Sequence, residues 1–376
     1  MKILKLYEHR KNPGGIVNLQ LDLEKFFDTS QHTYAYFRTG KIFKHRIWSK
    51  GFFRLFDMLF SYGYFPIFLL ATRPDSIEIN TSFIKKSFLR DFIFLMESRL
   101  FAPEAKKVIF IHGWSEKFKS DFVEKHHLLF RNFDHIADTL IVLADQFKKS
   151  LIVSGVNPNK IQVITTGINI KDFEATPKAI TKNPHILFLS RLALDKGIME
   201  FLEAIPPLLQ YNNSLHFDIA GSGEAEKALL ESRIFRTYRS NITFHGYLTG
   251  EAKIKLLKKS TLFVFPSSHG EGFPISILEA MAAGLPLIYT PSGGLLEHLQ
   301  NGINGIEIPP QNTSAIVDAV IRLLEAPSLI SKMGKTNLLQ AKSTFDIELV
   351  FSKLEDVHSS KRIKTIHSDL PILRSH

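Results

Sequence analysis

The sequence contains no cysteine. That excludes a disulfide framework, a thiolate metal site and a cysteine nucleophile, and it fits a reducing compartment. Long apolar runs are missing too. The most apolar stretch, 59–71, holds Gly63 and Pro66 and falls short of the roughly 18 apolar residues that a spanning helix needs. Residues 1–7 are too short an apolar run for a signal peptide and meet Glu8 and Arg10 at once. The expectation is a cytoplasmic protein without a transmembrane segment. Acid is in deficit: 47 Lys and Arg stand against 37 Asp and Glu, for a net charge of +10. Such an excess favours polyanions, whether nucleic acid, anionic lipid headgroups or phosphorylated substrates, or simply keeps the chain soluble. No helix-turn-helix, zinc-finger or RNP-type signature accompanies it, so nucleic acid is not expected as a partner. No internal repeat of 20–50 residues and no low-complexity tract is visible.

What the sequence does contain is enough apolar residue for two cores. At 376 residues, 44% hydrophobic, it exceeds one ordinary domain. Short apolar runs read as strands at 3–7, 65–70, 108–111, 140–143 and 162–164, then at 186–189, 217–220, 243–245, 262–265, 286–289 and 305–308. Helical patterns lie between them at 17–27, 85–99, 197–209, 252–259, 275–283 and 313–324. Buried strands alternating with helices imply parallel sheets covered on both faces, hence two doubly wound α/β domains. The stretch 171–184 lacks periodicity and carries Pro177 and Pro184, which places the boundary there. The expected division is 1–175, 176–345 and a C-terminal helix plus tail at 346–376.

Several strand ends carry residues suited to binding. After the strand at 186–189 come Arg191 and Lys196, with a helix opening at Gly197. Arg can fork two oxygens while Lys acts as a point charge, a pairing that suits a diphosphate. A solvated strand-to-helix loop would contain the same residues. After 217–220 come Gly221, Ser222 and Gly223, where backbone can approach a ligand at a helix N-terminus, or simply make a tight turn. The sharpest pattern follows 262–265: Glu271 sits between Gly270 and Gly272, then Phe273, Pro274 and Ile275 open a helix carrying Glu279. Pro274 is suited to the first helical turn, whose free N–H groups point at the loop. Glu271 and Glu279 are too far apart along the helix for a metal pair, and can instead accept hydrogen bonds from separate hydroxyls of one elongated ligand. Gly293, Gly294 and Glu297 form a further glycine turn. In the first half, Gly14 and Gly15 follow the first strand as a ligand-approaching or plain turn, and His112 ends the strand at 108–111.

Together these motifs resemble the retaining family 4 glycosyltransferases of GT-B architecture (glycosyl transferases group 1). The resemblance is strongest over 185–308. In the first half only Gly14, Gly15, His112 and the turn at 167–169 match. It implies two Rossmann-like domains facing a central cleft, with a final helix near 347–357 crossing back to the first. It also implies a nucleoside diphosphate sugar, UDP-linked by preference, in the second domain and a glycan or lipid-linked acceptor in the first, as in envelope or exopolysaccharide synthesis. Arg191 and Lys196 match the family's diphosphate pair, Glu279 its ribose contact and Glu271 its sugar contact. Gly221, Gly223 and Tyr247 match its turns beside phosphate and base. The implied catalytic group is Arg191, Lys196, Glu271 and His112, with Gly14, Gly15, Gly272, Phe273, Pro274 and Ile275 joining the donor site. No metal and no cofactor are expected, and the absence of any Asp-x-Asp pair agrees. The segment 36–74 departs from the family. It holds seven Lys or Arg against the single acid Asp57, interleaved with aromatics. Such a stretch suits either an anionic membrane surface, making the protein peripheral on the inner face of the cytoplasmic membrane, or a core helix with a solvated face. A GT-B protein that binds a sugar nucleotide without turning it over is the alternative function.

Overall fold

The computed structural model describes residues 1–8, 15–39, 51–173, 182–268 and 273–362. Two six-stranded sheets, parallel throughout, organise the chain. The first contains β1 (Lys2–Glu8), β2 (Thr33–Thr39), β3 (Ser76–Ser82), β4 (Lys106–Gly113), β5 (Thr139–Val142) and β6 (Ile161–Val163), in the order β2-β1-β3-β4-β5-β6. The second contains β7 (His185–Leu189), β8 (His216–Ala220), β9 (Ile242–Gly246), β10 (Leu262–Phe265), β11 (Leu287–Tyr289) and β12 (Gly305–Glu307), in the order β12-β11-β10-β7-β8-β9. Strand direction explains the continuous apolar runs. Successive side chains point to opposite faces, and both faces are buried. Ile186 and Phe188 enter one core, while Leu187 and Leu189 enter the other.

Both sheets reverse direction once, and that sets where a ligand can sit. In the second sheet β8 and β9 extend to one side of β7 and β10 to β12 to the other. The loops after β7 and β10 therefore diverge and leave a crevice at the carboxyl ends of the strands, where open α/β sheets bind ligands. The equivalent reversal in the first sheet lies between β1 and β3.

The chain does not end on the second sheet. The helix α14 (Pro327–Thr344) packs in the second domain, and α15 (Ile347–Ser359), capped by Asp346, returns to the first. Its Ile347, Val350, Phe351, Leu354 and Val357 join the first core. Lys106 Nζ accompanies them by donating to the carbonyls of Val357 and Ser360. The turn at 167–169 clasps this crossing, with Ile168 N donating to Phe345 O at 3.0 Å and Ile347 N donating to Ile168 O at 2.9 Å.

Three local expectations are corrected. The strand expected at 65–70 lies inside the helix α2 (Gly51–Thr72), which runs through Pro66. An apolar run of six cannot be told from buried helix by periodicity; its setting in 22 mostly apolar residues decides it. Strands β2 and β3 were not anticipated, and β3 hides because its buried positions include Glu78 and Asn80. The helix expected at 17–27 is α1 (Gly15–Glu24).

Candidate functional site

The loops at the carboxyl ends of β7 to β10 hold one another by backbone. Leu192 N donates to Ser222 O at 3.0 Å, Ala225 N to Leu192 O at 2.9 Å, and Gly221 N to Gly246 O at 2.8 Å. Gly221 is required by this closeness. Its φ is +143°, and a Cβ there would lie 1.9 Å from the carbonyl oxygen of Ser190. Across the crevice, Ser268 N donates to Asp195 O at 3.0 Å, tying the loop after β10 to the loop after β7. Gly197 takes φ +73° with the Pro266 carbonyl 2.5 Å from where a Cβ would be.

This framework presents two cations of different character. Arg191 is exposed and meets Asp195 only at 3.8 Å. Lys196 is buried, and burial pushes its ammonium down to about 8, with Arg191 adding to the effect and Asp195 opposing it. A partly desolvated ammonium near an exposed guanidinium is a strong anion receptor, because less water must be displaced when the anion arrives.

The helix α11 (Ile275–Ala282) begins where expected, but Pro274 is its N-cap rather than part of its first turn. Pro274 has φ −64° and ψ 129°, and its carbonyl accepts from Ile277 N. Phe273 turns inward: its ring stacks on Phe345 at 4.9 Å and meets His298 edge-on. Contact of Phe273 with a ligand is therefore left to its backbone. Glu279 lies on α11, buried and ion-paired to Lys253 of α10 (Gly250–Lys259). Burial raises its carboxyl; Lys253 opposes that, and Asp22 of α1 in the facing domain reinforces it. Lys253 was not anticipated. Tyr247 is exposed beyond β9. Gly15 opens α1, while Gly14, Glu271 and Gly272 lie outside the described residues, so the Glu271–Glu279 relation is open.

In the first domain His112 lies one residue before the end of β4, stacked on Phe110 with centroids 3.9 Å apart. Burial pushes its imidazole down to about 3, so it is neutral at physiological pH. Its tautomer follows from its neighbours. Asn80 Nδ2 donates to Leu6 O at 3.1 Å and Glu78 Oε1 at 3.0 Å, so Asn80 Oδ1 is the acceptor. That oxygen accepts from Gln20 Nε2 at 3.0 Å and from His112 Nε2 at 2.7 Å. The proton of His112 is thus on Nε2, and Nδ1 keeps its lone pair. Beneath Asn80, Glu78 is fully buried, with Lys5 Nζ at 3.2 Å and His358 Nε2 of α15 at 2.9 Å. Burial works against its ionisation, but Lys5 and His358 override that and hold the carboxyl well below the carboxylate range.

Glu297, read from the sequence only as part of a glycine turn, joins the domains. The Glu297 carboxylate accepts from Asp145 N and Gln146 N, both at 2.7 Å. These are the first two amides of α6 (Asp145–Val153), so a side chain of the second domain caps a helix of the first.

The comparisons with known proteins agree with this geometry. Residues 170–338 match the family model described as "Glycosyl transferases group 1". An uncharacterised glycosyltransferase of Methanocaldococcus jannaschii is 33% identical over 177 residues, 47% of this chain and 45% of that protein. The capsular polysaccharide biosynthesis glycosyltransferase CapM of Staphylococcus aureus is 24% identical over 60% of this chain and 62% of its own length. The chain spans about half the length of the first curated relatives it matches, from 39% to 48%. Among solved structures, HepE of Anabaena in complex with UDP superposes with a TM-score of 0.73 at 17% identity, over 96% of this chain and 100% of that one. Sucrose-phosphate synthase of Thermosynechococcus elongatus gives 0.74 at 17% identity, over 95% and 98%. With two doubly wound domains facing each other, the chain has the GT-B fold of these solved structures, and its second domain, over residues 170–338, is similar to the group 1 glycosyl transferases.

Proposed function

We propose that the protein is a retaining glycosyltransferase of the family 4 type. It would move a hexosyl unit from a nucleoside diphosphate sugar, UDP-linked by preference, to a glycan or lipid-linked acceptor in envelope or exopolysaccharide assembly. The observation that carries this is the pairing of buried Lys196 with exposed Arg191 at the crevice between β7 and β10. Relatives named for capsular polysaccharide and amylovoran synthesis, and one for transfer to a diphospho-undecaprenol-linked sugar, support the acceptor class. Neighbours described with UDP and UDP-glucose support the donor.

In the proposed step the bond between the anomeric carbon and the diphosphate oxygen breaks, and the acceptor oxygen attacks the same face. The acceptor proton passes to the departing phosphate oxygen. Arg191, Lys196 and the N-terminal amides of α11 stabilise the charge that grows there. Such preorganised donors are the largest electrostatic contribution an enzyme can make, and they act where charge is greater than in the bound substrate. Nδ1 of His112 offers an acceptor to a hydroxyl of the transferred sugar. No metal is assigned to this step.

The surface of the first domain supports a lipid-linked acceptor. No helix among the described residues is long and apolar enough to cross a membrane. Yet α2 exposes Leu59, Phe60, Tyr64, Ile67 and Leu70, and the adjoining α3 (Lys85–Phe101) exposes Leu89, Ile93, Met96 and Leu100 along one face. With the basic stretch at 41–50, which lies outside the described residues, this suits shallow docking on an anionic bilayer at the cytoplasmic face. Co-sedimentation with anionic liposomes that fails at low salt counts against docking.

The activity test is incubation with UDP-glucose, UDP-N-acetylglucosamine, UDP-galactose and GDP-mannose plus a polyprenyl-diphosphate-linked sugar. Transfer with retained anomeric configuration, lost in Lys196→Ala, is expected. A donor that binds but is never consumed favours the non-catalytic alternative.

A further inference from the structure

On the face of the second sheet that carries Leu187 and Leu189, three histidines surround one carboxylate. His185 and His216 open β7 and β8 and lie in register, with ring centroids 4.9 Å apart. Asp218 follows two residues after His216 and is completely buried. Its Oδ2 lies 2.7 Å from His185 Nδ1, and its Oδ1 lies 2.7 Å from His245 Nε2 on β9. His216 Nε2 is 2.8 Å from Thr243 Oγ1. One ligand atom each from His185, His216 and Asp218 falls within 4.8 Å of the others. Neither His216 nor Asp218 carries a motif recognisable from the sequence.

We infer that His185, His216 and Asp218 form a site for a zinc-like transition-metal dication, with His245 holding the Asp218 carboxylate from β9. The donor set is the first reason. Imidazoles and a carboxylate on adjoining strands supply the nitrogen and oxygen ligands that zinc takes in four-coordinate sites, at about 2.0–2.2 Å. Donors that share a metal at those lengths stand roughly 3–4 Å apart, so the present separations need only small side-chain shifts. Charge is the second. Isolated burial of an ionised carboxylate is costly. The two oxygens of buried Asp218 face imidazole nitrogens, each at 2.7 Å. Lys259 is a further charged group acting on both Asp218 and His216, and it weakens rather than replaces the case for a dication. On binding, His185 must present the lone pair of its coordinating nitrogen, so a proton there moves to the other ring nitrogen or, from the imidazolium, to solvent. The metal would join β7 and β8, and His185 and His216 sit at the strand ends remote from Arg191 and Lys196. The transfer step needs no part of it.

The test uses the full chain without an affinity tag, stripped with chelator, dialysed against zinc and assayed for bound metal after gel filtration. His185→Gln and Asp218→Asn are the comparisons, each first shown to be folded by circular dichroism. One retained equivalent in the wild type, lost in both variants, supports the site, as does a zinc-dependent rise in melting temperature confined to the wild type. Four-coordinate ligand-field absorption on cobalt substitution would fix the geometry. Equal zinc retention in all three proteins, or none in any, overturns the inference and leaves a hydrogen-bonded cluster.

Discussion

Lys196 links binding to stability in a way that can be measured. Its ammonium is pushed from an ordinary 10.5 down to about 8, chiefly by burial. At about 1.4 kcal/mol per pH unit, keeping that charge in the folded state costs about 3 kcal/mol at pH 7. The sign follows from proton counting. Between about 8 and 10.5 the unfolded chain holds a proton that the folded chain has released, so stability rises with pH across that window, and below it the cost is fully present. Lys196→Met keeps the stem and removes the charge. It should stabilise the ligand-free protein at pH 7 by up to about 3 kcal/mol, or roughly 6–12 °C in melting temperature for a domain of this size; the interactions the ammonium gives up lower that ceiling. The advantage should shrink as pH is raised from 8 towards 10.5, while UDP binding is weakened throughout. Thermal melts of both proteins across that range, with calorimetric titration at pH 7, provide the assay. Wild-type UDP binding near pH 8 should also take up a proton, seen as a dependence of the measured heat on buffer ionisation enthalpy. A variant destabilised equally at all pH values, with UDP affinity intact, would refute the reasoning.

Further outcomes follow from the same geometry. Gly221→Ala must separate two loops that touch, so it should lose about 1–3 kcal/mol of stability and most UDP affinity, read by melting and titration. Asn80→Ala removes the anchor of His112 Nε2; kcat should fall roughly 3–10-fold while UDP affinity is kept, as expected for the loss of one hydrogen bond. Glu78→Gln leaves Lys5 buried without its counter-charge and should cost about 3–5 kcal/mol by denaturant titration. Glu297→Ala uncaps α6 across the domain junction, a change of about 0.5–2 kcal/mol that small-angle scattering should register as a more open particle in the absence of donor.

The second domain was legible because β7, β10 and β11 are nearly continuous apolar runs and the loops after its strands carry Arg, Gly and Pro. Each signal there is local, so the strand ends at Arg191, Gly221 and Pro274 could be read in order. The first domain resisted for a physical reason. Its β3 carries Glu78 and Asn80, which are stable in a core only because Lys5, Leu6, Gln20, His112 and His358 satisfy them. Those partners come from four other elements, and no spacing announces them. The same holds for the site. Lys253 lies 26 residues from Glu279, and Glu297 lies 152 from Asp145. Periodicity at 85–99 revealed a helix, but not that its Leu89, Ile93, Met96 and Leu100 would be left uncovered. That depends on what packs against the other side.

The central claim is a diphosphate site formed by Arg191 and Lys196 that needs no metal. Calorimetric titration with UDP, GDP and ADP in excess chelator tests it most directly. The account predicts that UDP binds with one site per chain and that Arg191→Ala weakens it. Failure of all three nucleotides to bind folded protein would contradict it.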